Sequence, residues 1–273
     1  MANRIKFLLD NAIDTATMAP IPTNAIRATL PLSNLRESSR SLVTRSIQVY
    51  ASNSLTITGV LTGETSANAF VIGNHNFKEN TTYRLELYSD ATYTTLVYSS
   101  SDLIVPAEYA AMPTDTFKYN IPIWFDTVYG VQSFSLTLTN PATNYMDYFQ
   151  IGRLFLGNAL STSIGASFGH NLYWNENTSQ YRTEAGTLRS DIVTPNKVIE
   201  FSLNTIYEEE RSTLQRALAI TGKRKDFFIS LFSTSCDPNI QIDYSGIVKM
   251  TKVPKYAEFA SNFYGASYTV EEI

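Results

Sequence analysis

Apolar residues recur at two different spacings along this chain. Over residues 133–139 the period is two: Phe134, Leu136 and Leu138 share one face, and Ser133, Ser135, Thr137 and Thr139 the other. That alternation predicts a half-buried strand. Tyr83 to Tyr88 alternates in the same way, with Arg84, Glu86 and Tyr88 on the wet face. Leu96-Val97-Tyr98 follows after Ser89-Asp90-Ala91-Thr92, which predicts a hairpin. Leu55, Ile57, Val60 and Leu61 predict an earlier strand, bent at Gly59 and Gly63, and Phe70-Val71-Ile72 is a buried run ended by Gly73-Asn74. Short, evenly spaced strands with no helical period predict a β-sandwich or jelly roll over residues 35–147.

Residues 1–34 differ. Prolines at 20, 22 and 31 and the lack of sustained periodicity predict an extended arm with short strands, suited to lie across a neighbouring subunit. The rest of the chain, residues 148–273, opens on Phe149, Ile151, Leu154 and Leu156, too apolar to face water on both sides. These positions predict burial between layers or a subunit interface. Ile199, Phe201 and Leu203 then mark an amphipathic strand before the period changes to that of a helix. Thr205 and Glu208 have the spacing of a capping box, and Glu208, Glu209 and Glu210 suit the positive end of the helix dipole. Tyr207, Leu214, Ala217, Leu218 and Thr221 trace an inward stripe, and Gly222 supplies a left-handed stop before Lys223-Arg224-Lys225. The helix is therefore expected over about residues 205–221. Strands are expected at Phe227–Phe232, Ile240–Tyr244, Gly246–Met250 and Phe263–Val270. The fold class is mainly β, a sandwich followed by a second β-rich domain with one main helix.

Composition sharpens this. The 273 residues include 17 Tyr and 15 Phe but only 17% charged residues, which suits pleated, half-buried surfaces. A net charge of −4 with scattered Lys and Arg offers no basic stripe for phosphates, so nucleic acid is not an expected partner. The single cysteine, Cys236, can form neither an internal disulfide nor a thiolate cage, and reads as a small buried apolar residue. Asp10 cuts the apolar run Phe7-Leu8-Leu9 short of a signal or membrane segment, so neither membrane insertion nor secretion is expected.

Candidate chemistry is sparse. Gly165-Ala166-Ser167-Phe168-Gly169 matches the nucleophile-elbow pattern. No apolar helix follows it, however, and His170, the last histidine, lies only three residues from Ser167. His75 and His170 are the only imidazoles, and neither has metal-site spacing to an acid or cysteine. Asp90, Asp102, Asp115 and Asp126 read as loop carboxylates without a calcium-loop run. No catalytic residue, cofactor or metal ligand is expected, and the chain is not expected to be an enzyme. Trp124, Phe125, Tyr129, Tyr173 and Trp174 are aromatic candidates for stacking on sugar rings, with Trp124, Tyr129 and Trp174 the leading glycan contacts.

Two resemblances bear on function. Ile151-Gly152-Arg153-Leu154-Phe155-Leu156-Gly157, Glu210-Arg211 with Leu214, and Gly222-Lys223, in that order of elements, resemble the ring-forming domain of distal tail proteins and tail-hub proteins of long-tailed bacteriophages. Ser33-Asn34-Leu35, Arg45, Val71-Ile72 with His75-Asn76-Phe77, and the Leu85–Tyr98 hairpin resemble galactose-binding-type jelly rolls of phage structural proteins. The first resemblance implies a virion protein, assembled in the host cytoplasm, whose copies close a hexameric ring joining tail tube to host-recognition apparatus. Its partners would be its own copies and other tail proteins. The second implies an alternative role as a carbohydrate-binding accessory tail protein that contacts host glycans.

Overall fold

The computed structural model describes residues 4–39, 41–50, 52–110, 119–143, 146–167, 169–176, 178–191, 195–235 and 237–273. The architecture is mainly β, with several antiparallel sheets and one main helix, Glu208–Thr221. Cys236, Asp115 and Phe168 lie outside the described residues.

Two long strands, Ser54–His75 and Tyr119–Thr139, pair along most of their length and form the spine of the first sheet. Short separate strands were expected here. The polar stretch around Gly63 bends the ladder instead of ending it. Pairing shifts register between Val60 and Thr65 and again between Ala67 and Ala69, and such bulges turn a strand without cutting it. The bend brings Phe70 to 5.8 Å from Phe134, ring centre to ring centre. Thr82–Tyr88 pairs with the far stretch of Tyr119–Thr139 and carries Leu96–Ser99 on its other edge, as the predicted hairpin requires.

Arg153–Gly157 pairs with Ala69–Gly73. The run expected to open the second half therefore completes the first sheet. Phe149, Ile151, Leu154 and Leu156 are at most 2% exposed and belong to the sandwich core. They are closed off inside their own chain, which removes them as a subunit interface. The strand is apolar on both faces because Leu154 and Leu156 fill the sandwich while Phe155 points into the seam with the second sheet. At its end the backbone runs so close to Asp10 that a Cβ on Gly157 would sit 2.6 Å from the Asp10 carbonyl oxygen.

The N-terminal segment also departs from expectation. Lys6–Leu8 is an interior strand of the second sheet, between Leu160–Ser161 and Phe227–Ser230. Thr17–Ile21 pairs with Thr56–Val60 in the first sheet. Ile5 and Phe7 are fully buried in one core and Ile13 in the other. The segment thus ties the chain's own sheets together instead of reaching across a neighbour. Its apolar positions are too few for periodicity to reveal.

From Lys6–Leu8 the second sheet continues through Phe227–Ser230, Ser245–Lys252, Phe263–Glu272 and Asn196–Tyr207 to the edge strand Asn171–Asn175, and Tyr256–Ala260 adds to Phe263–Glu272. The helix begins at Glu208, three residues beyond the expected cap, because Thr205 and Ile206 stay in the strand. No side chain caps it. The Glu208 carboxylate turns to Arg211 instead, at 2.5 and 2.9 Å, and Tyr207 is 44% exposed rather than inward. Leu214, Leu218 and Thr221 are buried as expected. Gly222 ends the helix at φ +55, its N–H donating to Leu218 O at 2.8 Å. The strand expected at Ile240–Tyr244 is a short helix, Pro238–Asp243, in which the Asp237 carboxylate accepts the Asn239 N–H at 2.9 Å and Pro238 opens the first turn. A third cluster, with Leu8, Val71, Phe155, Phe228 and Ile247 buried, welds the two sheets together.

Candidate functional site

The residues singled out for chemistry do not converge. Ser167 Oγ accepts the backbone N–H of Asn204 at 3.0 Å. His170 lies among rings, 5.4 Å from Phe232 and 5.0 Å from Tyr244. His75 belongs to the first sheet, where its Nδ1 accepts the Phe77 N–H at 3.1 Å. Burial pushes its imidazole down from 6.5 to about 3. Asp90 organises a turn, accepting from Thr92, Thr94 and Thr95. Those bonds, led by the Thr92 side chain, hold its carboxyl well below the usual range. Asp102 pairs with Arg84 at 2.8 Å. Among the described residues no three His, Cys, Asp or Glu side chains are grouped to hold a metal.

The aromatic candidates part company as well. Trp124 lies in the seam, its ring 6.1 Å from Phe228 and covered by the Lys6 ammonium at 4.3 Å. Burial lowers the Lys6 pKa, against the opposing pull of Asp126. Trp174 is 43% exposed on the strand Asn171–Asn175, at the opposite edge of the second sheet from Lys6. The two tryptophans cannot form one platform. Tyr129 does join a cluster: Tyr98 lies 4.4 Å from Phe125 and 5.6 Å from Tyr129, at the corner of the sandwich beside Asp126. Tyr98 and Tyr129 are half-buried there.

The segment between Asn171–Asn175 and Asn196–Tyr207 reads in sequence as a polar loop. It carries a separate ribbon, Gln180–Arg182 paired with Leu188–Ser190. Among the described residues this ribbon joins no other sheet. All six of its residues are exposed, Tyr181 at 53% and Leu188 at 51%. Its turn is closed by Thr183 N–H to Thr187 O at 2.9 Å and by the Arg182 guanidinium to Gly186 O at 2.9 Å. A two-stranded ribbon without a third strand or a core is marginal in water. The signal was present in the apolar and polar order of Tyr181-Arg182 and Leu188-Arg189 about Gly186.

A cleft of about 470 Å³ opens where the N-terminal segment meets both sheets. Its inner wall is a partly buried polar network, in which Asn11, Asp14 and Asp226 line the cleft and the buried Arg153 holds the two acids from behind. Asn11 accepts the N–H groups of Ile13 and Leu156, each at 3.1 Å, and donates to Leu154 O at 2.9 Å. Arg153, 3% exposed, reaches Asp14 at 2.7 Å, Asp226 at 3.0 Å and Leu35 O at 3.2 Å, with its guanidinium 5.0 Å from the Phe155 ring. Burial raises the Asp14 pKa, and the Arg153 charge opposes that shift. The contacts join four parts of the chain: the turn Ala12–Thr15, the short helix Leu32–Arg36, the strand Arg153–Gly157 and the approach to Phe227–Ser230. In sequence Arg153 stands within an apolar run, and no local pattern pairs it with acids so distant along the chain.

No protein-family model matches the chain, and no curated protein matches it in sequence. Solved structures that align with part of the chain include chitosan-binding module 1 of a chitosanase/glucanase from Paenibacillus sp. IK-5, at 14% identity and a TM-score of 0.39, covering 54% of this chain and 98% of that module. A family 32 carbohydrate-binding module of NanJ from C. perfringens, solved with galactose, is similar at 10% identity and a TM-score of 0.40, covering 55% of this chain and 98% of the module. A pectin-binding module aligns at 13% identity and a TM-score of 0.38, over 54% of this chain and 91% of its own. Each likeness extends over about half of this chain.

Proposed function

We propose that this protein is a structural subunit that works by associating with its own copies, as a ring at the tail tip of a long-tailed phage virion. The observation that carries this reading is the exposed ribbon Gln180–Ser190. Among the described residues it has unpaired edges, two exposed apolar side chains and no core of its own, so its lasting order calls for a surface supplied by another molecule. The sequence resemblance to ring-forming tail domains supplies the setting and the neighbouring tail proteins. A head-to-tail contact repeated around a rotation axis closes a ring, in which modest interfaces reinforce one another. Light scattering on the purified chain tests this, with residues 180–190 replaced by a short Gly-Ser turn as the comparison. The intact chain is expected to give one discrete large species and the shortened chain a monomer of unchanged fold. Equal masses for the two would refute the role of the ribbon.

A second reading, glycan binding by the sandwich, is favoured by the Tyr98–Tyr129 corner. The rings are half-exposed, their hydroxyls make no hydrogen bond among the described residues, and the negative charge of the exposed Asp126 is felt at Tyr98. Rings with an adjacent acceptor suit the apolar face and hydroxyls of a sugar. Retention on host-surface polysaccharide should fall with Tyr129→Ala, whereas Trp124→Ala should lower stability without touching retention. Undiminished retention in Tyr129→Ala would rule out this corner.

A further inference from the structure

We propose that the cleft between Asp10 and Lys225 is a binding site for a neutral polyhydroxylated ligand, a single saccharide unit. The proposal rests on neither reading above, since it needs no ring and uses no aromatic side chain. About 470 Å³ is room enough for such a unit and its nearest waters. On the inner wall Asn11, Asp14 and Asp226 already have partners, Asn11 in the backbone and the two acids in the buried Arg153 guanidinium behind them. The outer wall is unused. The side chains of Asp10, Thr65, Ser66, Asn158 and Lys225 line the space and make no hydrogen bond among the described residues.

The kind of ligand follows from what those groups offer. One carboxylate, one amide, two hydroxyls and one ammonium present donors and acceptors side by side, which matches hydroxyls that must give and take a bond at each carbon. Charge argues against an ionic ligand. Asp10, Asp14 and Asp226 stand against Arg153 and Lys225, three negative charges to two positive, and the Arg153 pairs already neutralise most of the inner wall. A cation would face Lys225 and an anion would face Asp10. A neutral polyol meets neither penalty.

The test is titration of the full chain with glucose, galactose and N-acetylglucosamine, one at a time, followed by amide chemical shifts or calorimetry. Saturable binding of at least one sugar is expected. Asp10→Ala and Asn158→Ala should each weaken it by about tenfold, the worth of one hydrogen bond to a polar or charged group. Tyr129→Ala should leave it unchanged, which separates the cleft from the sandwich corner. Both cleft substitutions are on exposed side chains, so unchanged melting temperatures should accompany the loss. No saturable response to any of the three sugars would overturn the proposal, as would a response indifferent to Asp10→Ala and Asn158→Ala. Light scattering on the same samples reports self-association separately.

Discussion

His75 makes the fold sensitive to acid. Its ring is stacked 4.5 Å from Phe77 and buried, and burial holds its pKa at about 3 against 6.5 when exposed. Between those values the unfolded chain binds a proton that the folded chain refuses, so this residue's stabilising effect is full above pH 6.5 and declines as the pH falls below it. The decline is about 1.4 kcal/mol per pH unit. Urea unfolding at pH 7 and pH 5 should therefore show a loss near 2 kcal/mol that His75→Asn, which keeps an acceptor for the Phe77 N–H, largely abolishes. A variant with the same pH slope as the parent would show that another group is responsible. Arg153 acts in the opposite sense, as a charge that must remain. Arg153→Met leaves Asp226, 9% exposed at its side chain, without its partner and should cost about 3 kcal/mol in chemical denaturation. Adding Asp226→Asn should recover part of that loss. Neither role was visible in sequence. A lone histidine and an arginine in an apolar strand look alike whether buried or exposed, and their environments come from segments far along the chain.

At the scale of elements, alternation was a reliable guide where one face meets water and the other a core. Tyr83–Tyr88 and Phe134–Leu138 form as strands with the faces expected. The pattern failed where local signals compete. Thr205 and Glu208 had the right spacing for a cap, but pairing with Phe263–Glu272 kept Ile206 and Tyr207 in the strand, and tertiary pairing outweighs a cap worth about 1 kcal/mol. Asp237-Pro238 is a helix start masked in sequence by the strand-like alternation of Ile240 and Ile242. The helix stop, by contrast, was legible in Gly222. At φ +55 with open space around the missing side chain, Gly222→Ala meets only backbone strain, and thermal or urea unfolding should register about 1 kcal/mol of destabilisation. An unchanged midpoint would mean that the turn relaxes to another conformation.

For the whole molecule, the sandwich and the helix-bearing sheet were both anticipated, but not how they are joined. The N-terminal strand Lys6–Leu8 enters the second sheet before the chain builds the first, and Arg153–Gly157 returns to the first sheet before the second is completed. Cutting the chain near residue 147 would therefore take a strand from each sheet, and removing residues 1–31 would damage both cores instead of testing an arm. Such long-range pairings leave no local trace, and the seam of Leu8, Phe155 and Phe228 is composed of residues any core would use. The ribbon Gln180–Ser190 is the part of the described fold that its own chain does least to support, and the ring account stands on it. Sedimentation or light scattering of the intact protein across a wide concentration range is the most direct check. The account predicts a single closed species of fixed copy number that dissociates when the ribbon is removed. A protein that stays monomeric at every concentration, with its ribbon intact, would contradict it.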